Sequence, residues 1–277
     1  MQFCVDTVNL QTSTPQEDSS CYQIILLAHP AEFVVDFTEY KNTSTALLFL
    51  SPYQHLAWQS APTEPATRVL FHGDFYCIEF HKKEVACNGL LFNNIYLQPV
   101  VPVDGSVYRE IELIVDKMRV EDGADAAFSE SVIKAYLQLI LALASKAKKQ
   151  LIDASPLIDP SLEGAEGLLF QQLLEDFFTI NRSTQFYAER LNLSLSAFGK
   201  KIKQQLGKTP SAFIQERVIL ESKKQLHLTY LSVKEIAAKL GFDDEHYFSR
   251  YFKKYVGISP SSFREQVGIS IVAQKSP

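Results

Sequence analysis

Cysteine is scarce in this 277-residue chain: Cys4, Cys21, Cys77 and Cys87 stand far apart, with no C-x-x-C pair and no Cys/His cluster. That spacing argues against a structural zinc site and reads as ordinary reduced thiols. No stretch of 18 apolar residues occurs, so no membrane-spanning helix is expected. The first twenty residues, MQFCVDTVNLQTSTPQEDSS, lack the basic start and apolar run of a secretory leader, and a soluble protein of a reducing cytoplasm is expected. Clustered ligands and a nucleophile–base motif are also missing, which argues against an enzyme; no catalytic residue, metal or cofactor is assigned. His29, His55, His72 and His81 form no H-x-H with a following Glu, and single imidazoles in strand-like segments are more often satisfied or exposed than metal-bound.

A surplus of positive charge is absent from the whole chain, whose net charge is −5, but not from its parts. Residues 1–167 hold 11 Lys and Arg against 22 Asp and Glu, a net of −11, whereas residues 168–277 hold 16 against 10, a net of +6. A polyanion would dock on the basic end. The length suits two domains, each large enough for its own core.

Residues 1–20 are polar and expected to be poorly ordered. From Tyr22 the chain runs through YQIILLA, EFVVDFTEY, TALLFLS, YQHLAWQ, TRVLFH, FYCIEF and LLFNNIYLQPV, short apolar segments with turn residues between them. This texture predicts an antiparallel β-barrel or sandwich. Past Gly105 the period becomes helical: Ile111, Ile114, Val115 and Met118 share one face over about 106–120. A second helix, about 128–149, carries Val132, Tyr136, Leu139 and Leu143 beside Ile133, Leu137, Ile140, Leu141 and Ala144. Its apolar arc is wider than one core contact requires, and part of it is read as facing another subunit. Residues 1–150 are thus one domain, 151–166 a Pro- and Gly-bearing linker, and 167–277 an all-helical domain opening on two neighbouring stripes, Leu169, Leu173 and Phe177 beside Phe170, Leu174 and Phe178.

Within that last domain, FYAERLNLSLSAFGKKIKQQLGKTPSAF (186–213) is similar to EIAAKLGFDDEHYFSRYFKKYVGISPSSF (235–263). Ala188, Leu191, Asn192 and Leu193 pair with Ala237, Leu240, Gly241 and Phe242 at an offset of 49. After one extra residue in the turn the offset is 50, pairing Phe198, Lys200, Lys203, Gly207 and Pro210 with Phe248, Arg250, Lys253, Gly257 and Pro260. Each copy has the grammar of a helix-turn-helix, over about 184–207 and 233–257. A small residue lets two helices approach, and Asn192 or Gly241 tolerates the left-handed backbone of a sharp turn. Ser194 and Asp243 are placed to cap the second helix, which Gly207 or Gly257 ends.

On these residues the C-terminal region resembles the AraC/XylS family of transcription regulators, most specifically through EIAAKLGFDDEHYFSRYFKKYVGISPSSFR. The N-terminal half resembles the cupin-like sensor barrel of many members, through DFTEY at 36–40 and LLFLSPYQHLAW at 47–58. The resemblance implies a DNA-binding transcription regulator, more often an activator, that acts with RNA polymerase. It further implies a small-molecule effector in the barrel and a homodimer formed through the N-terminal domain. Asp36 and Tyr40 match the family without an assigned role. Trp58 and Tyr53 read as barrel packing rather than a ligand cage.

Carried over position by position, the pattern makes Ser196, Lys200, Glu245, His246, Ser249 and Arg250 candidates for base contact. Lys201, Lys203, Lys253 and Lys254 are candidates for phosphate contact. Arg250 leads, because a guanidinium grips guanine O6 and N7 bidentately, and Glu245 is suited to accept from a cytosine amino group. Ala197 and Gly199 offer almost no side chain, so the first unit is expected to hold phosphate more than to read bases. Tyr247 and Tyr251 sit at core spacing and read as packing, while His246 reads equally as contact or exposure. A helix of about 211–227 joins the units and spans roughly 25 Å at 1.5 Å per residue. Two readings of the N-terminal domain compete with the sensor: a pure dimerisation or partner-docking module, which a core filled by side chains would favour, and a cupin enzyme, which bound metal would revive.

Overall fold

The computed structural model describes residues 3–9, 20–36, 38–60, 64–78, 89–123, 127–154 and 166–269. They fall into two compact units, one within 1–154 and one within 155–269. His81, Cys87 and most of the stretch read as linker lie outside the described residues.

The N-terminal unit has eight described strands: β1 (Phe3–Val8), β2 (Tyr22–Leu27), β3 (Ala31–Val35), β4 (Thr38–Asn42), β5 (Ala46–Leu50), β6 (Leu56–Ser60), β7 (Ala66–Phe71) and β8 (Val100–Pro102). One antiparallel sheet runs β1-β7-β2-β5-β8 and the other β4-β3-β6. Two helices follow, α1 (Gly105–Asp122) and α2 (Ser129–Ala154). The unbroken apolar runs of β2 and β5 have a simple cause: both faces are covered. Tyr22, Ile24, Leu26, Leu47 and Phe49 join Ile111, Met118, Leu137 and Leu141 in a core beneath the helices. Ile25, Leu27, Leu48 and Leu50 turn the other way, onto Phe33, Val35 and Leu56 of the smaller sheet.

Several expectations are corrected. Within the stretch 1–20, residues 3–8 are an ordered strand: Phe3–Val8 pairs along β7, Phe3 stacks on Phe75 at 5.1 Å, and Asp6 takes a two-pronged ion pair from Arg68. EFVVDFTEY is not one run but β3 and β4 folded about Asp36, whose φ is 54°. The Asp36 carboxylate accepts from the His55 backbone N–H at 3.0 Å and from Gln54 Nε2 at 3.1 Å, so its role is to tie that turn to the loop before β6. LLFNNIYLQPV is mostly loop, since Asn93 takes φ 57° and Asn94 accepts from the backbone of Tyr96 and Leu97, leaving only its end for β8. The described part of FYCIEF, residues 75–78, is turn rather than strand, with the Phe75 and Tyr76 N–H groups both donating to the His72 carbonyl. The second helix overruns its expected end at 149 to Ala154, because Leu151 and Ile152 continue it until Pro156 approaches and disfavours helix in the residue before it.

Helix α2 is also pinned to the sheet. The side chain of Lys148, 5% exposed, donates to the carbonyls of Gln98 at 2.6 Å and Val100 at 3.1 Å, and burial lowers its pKa to about 8.

The C-terminal unit is helical: α3 (Glu166–Phe177), α4 (Thr184–Arg190), α5 (Leu195–Leu206), α6 (Pro210–Leu228), α7 (Val233–Lys239), α8 (Glu245–Val256) and α9 (Pro260–Val267). Its core is aromatic, with Phe170 edge-on to Tyr187, Phe198 and Phe213, and Phe252 edge-on to Phe263. Thr209 and Ser259 cap α6 and α9, each with Pro at the first helical position, where a missing N–H costs nothing.

Candidate nucleic-acid interface

Two helix pairs, α4–α5 and α7–α8, are built alike from the turn outward. Buried Ala188 and Ala237 sit at the crossings, and each carbonyl accepts at 2.9 Å from the N–H five residues on, Leu193 or Phe242. Asn192 (φ 54°) and Gly241 (φ 68°) both take the left-handed backbone the turn needs. Gly241 has a second constraint, because a Cβ there would lie 2.0 Å from the Thr179 carbonyl oxygen.

Ser194 caps α5, accepting from the Ala197 N–H, but the cap of α8 is Asp244, accepting from the Tyr247 N–H at 2.6 Å, and not Asp243. The extra turn residue in the second copy moves the cap one place along. Both helices stop at a left-handed glycine, Gly207 (φ 80°) and Gly257 (φ 89°). A capping box between Ser232 and Glu235 starts α7.

Each second helix buries one stripe, Phe198 and Ile202 in α5 and Phe248, Phe252 and Val256 in α8. On the opposite side the 3.6-residue period brings Ser196, Lys200 and Lys203 together on α5, with His246, Ser249, Arg250 and Lys253 at the equivalent places on α8 and Lys254 beside them. Ser196, Lys200, Lys203, His246, Arg250, Lys253 and Lys254 are exposed, and Glu245 and Ser249 half-buried. Gly199 opens onto free space, with nothing within 4 Å of where a Cβ would stand.

Lys201 does not join that face. Its ammonium is paired with Glu166 at the start of α3, whose carboxylate also accepts from Gln205 at 3.0 Å, and these bonds hold the Glu166 pKa down to about 2. Tyr247 departs from the packing expected of it: it tilts against Phe242, ring centroids 5.8 Å apart, yet stays 50% exposed. Tyr251 is half-buried, and that burial raises its phenol pKa.

Several cations of this unit are engaged internally. Lys208 pairs with Glu216 at 2.7 Å, Arg217 with Glu175 and Glu221, and Arg264 donates to the carbonyls of Leu226 and Leu231. Arg182 donates to the carbonyls of Leu240 at 2.8 Å and Gly241 at 2.9 Å while lying over the Phe242 ring. By contrast the side chains of Lys200, Lys203, Arg250 and Lys253 form no hydrogen bond or ion pair with any described residue, and that of Lys254 only rests over the Tyr255 ring. Charges left unpaired on two equivalent outward stripes are suited to an external polyanion. The bracing role of Arg182 carried no signal in the sequence, since its carbonyl partners lie 58 and 59 residues away.

In the N-terminal unit the histidines lead elsewhere. His29 faces Glu64 at 2.8 Å and His72 faces Asp74 at 3.2 Å, and no group of three metal-capable side chains occurs among the described residues. Trp58 packs edge-on against Phe33. No helix among the described residues is long and apolar enough to cross a membrane.

Residues 187–266 match a family model described as a helix-turn-helix domain. The HTH-type transcriptional activator RhaS of Escherichia coli O139:H28 is 26% identical over 164 residues, which cover 59% of this chain and 56% of RhaS. The chain therefore spans about half the length of the curated relatives it matches. Among solved structures, the C-terminal domain of the two-component response regulator yesN from Fusobacterium nucleatum is 30% identical, with 35% of this chain and 94% of that one covered and a TM-score of 0.33. ToxT from Vibrio cholerae is 17% identical, with 96% and 95% covered and a TM-score of 0.39.

Proposed function

We propose, from the membership of this chain in the AraC/XylS family through its C-terminal domain, that it is a sequence-specific DNA-binding transcription regulator, most simply an activator. One observation carries the reading: cations whose side chains pair with no described residue occupy equivalent outward stripes on α5 and α8, the second helices of the two matched helix pairs. Helix α8 enters a major groove with its N-terminal turns at the base edges. Arg250 reads a guanine, flanked by Glu245, His246 and Ser249, and Lys253 and Lys254 hold phosphate. Helix α5 enters the next groove with a sparse face, so Lys200 and Lys203 contribute mainly phosphate contact and Ser196 a minor base contact.

Selection of bound DNA from a random pool, at stated salt, tests this: no enriched sequence would sink it. Arg250→Ala should relax preference at one base position by about 1–3 kcal/mol, whereas Lys203→Ala should weaken all sequences alike and flatten the salt slope by about 1.

The N-terminal unit, in this reading, pairs two chains and biases their arrangement in response to a small effector, so that DNA binding and polymerase contact follow the favoured arrangement. Leu139 of α2, 43% exposed, lies in line with the half-buried Val132, Tyr136 and Leu143, an apolar stripe suited to a second copy. Leu139→Glu should shift the chain from dimer to monomer in light scattering; an unchanged mass would remove α2 from the interface. A second reading, in which the unit only pairs chains or docks a protein, is favoured by the side chains filling the space between its sheets, Phe33, Leu48, Leu50 and Leu56 among them. Operator binding that responds to no small molecule in a metabolite screen, but fails in the Leu139→Glu protein, would select it.

A further inference from the structure

Between the first turns of α6 and the flank of α8 lies a half-open cleft of about 420 Å³. Ser211 and Gln215 line it from α6, and Tyr247, Arg250 and Lys254 from α8. No carboxylate is among its lining residues, and its three charged groups, Arg182 included, are all cations. Ile214, Tyr251 and Tyr255 complete the lining, so hydroxyl, amide, guanidinium and ammonium groups share the space with apolar and aromatic walls. The Gln215 side chain makes no hydrogen bond with any described residue, so its amide is unspent. A cleft of donors without a carboxylate suits an anion, and its size suits one phosphate with its flanking sugars.

Arg250 decides which anion. It stands both on the outward stripe of α8 and on the cleft wall, so the cleft opens beside the face that reads bases. Successive major-groove openings lie about 34 Å apart, and the backbone strands between them must pass the helix that joins the two readers. We propose that this cleft seats a phosphodiester of the operator backbone between the two reading helices, held by Lys254, the Gln215 amide and the Ser211 hydroxyl with Arg250 at its rim. The proposal rests on the DNA-binding reading and deepens it: α6, which the sequence presents only as a spacer, becomes a contact element.

The test uses the full-length protein and the DNA it selects. Gln215→Glu should bind about tenfold more weakly, and Gln215→Lys several-fold more tightly with a salt slope steeper by about 1. A neutral methylphosphonate, moved through the phosphates between the two contacted grooves, should weaken the wild type at one position and leave Gln215→Glu with no further loss there. If both substitutions bind like the wild type, or both weaken binding with no methylphosphonate effect, the cleft holds no backbone phosphate. Those failures would leave wild-type DNA selection intact, whereas a wild type that enriches no DNA would end the parent reading and this one together. Replacing chloride by inorganic phosphate at constant ionic strength should compete with DNA. Tighter DNA binding in phosphate would assign the cleft to a free phosphate and overturn the proposal.

Discussion

Gly241 and Gly199 show how one residue type serves two ends. Gly241 takes a left-handed backbone and lies against the Thr179 carbonyl, so Gly241→Ala meets strain and collision together and should cost about 3 kcal/mol or more. Gly199 lies in the middle of α5 with open space around it, and Gly199→Ala should stabilise the fold by up to about 1 kcal/mol. Urea midpoints of the two variants should therefore move in opposite directions. Lys201 gives a second contrast. Because its ammonium is already held by Glu166, Lys201→Ala should reduce DNA affinity and salt slope less than Lys203→Ala in the same titration. The outward stripe that carries Lys203 was legible in the sequence, since the repeat and helical spacing define it. The diversion of Lys201 was not, because its partner is 35 residues away and spacing carries no trace of that contact.

Among the elements, the recognition helices announce themselves through caps and stops, whereas the sheet elements are blurred by burial on both faces. Strands β2 and β5 are legible as apolar runs, but two-sided burial erases the alternation that fixes register. Strand β1 was hidden for another reason: FCVDTV shows no regular alternation, and its surroundings in the sequence are polar. The link between α2 and β8 adds a pH dependence that no pattern foretells. Buried Lys148 gives up its proton near pH 8, while in the unfolded chain a lysine holds it to about 10.4. Between those values the unfolded state binds more protons, so the contribution of Lys148 to stability grows as pH rises. Denaturant melts should show the wild type gaining stability relative to Lys148→Met between about pH 8 and 10; a constant difference would mean the ammonium is no less stable in the fold than in water.

At the scale of the molecule, the charge split divides the labour: the unit that pairs chains in the proposed mechanism is acidic, and the basic unit is where DNA would bind. The C-terminal architecture was legible because it repeats, and a repeat supplies its own check. The N-terminal sheets were legible in class but not in edges.

One further consequence follows from the loop ahead of α4. Tyr187 donates to the Asn181 carbonyl at 2.8 Å, and the next residue, Arg182, grips the carbonyls of Leu240 and Gly241 in the turn of the second helix pair. The turn of one reader is thus clamped to the segment that opens the other, in addition to their connection through α6. In the proposed reading, a protein held in this way measures distance as well as sequence. One base pair inserted between its two contact sites turns one site by about 34–36° about the duplex axis, and a clamped pair of readers has little freedom to follow. Binding should collapse on that insertion and recover in part when a full helical turn separates designed half-sites read by two chains. A smooth tolerance of spacing in the same binding assay would mean the clamp opens on DNA.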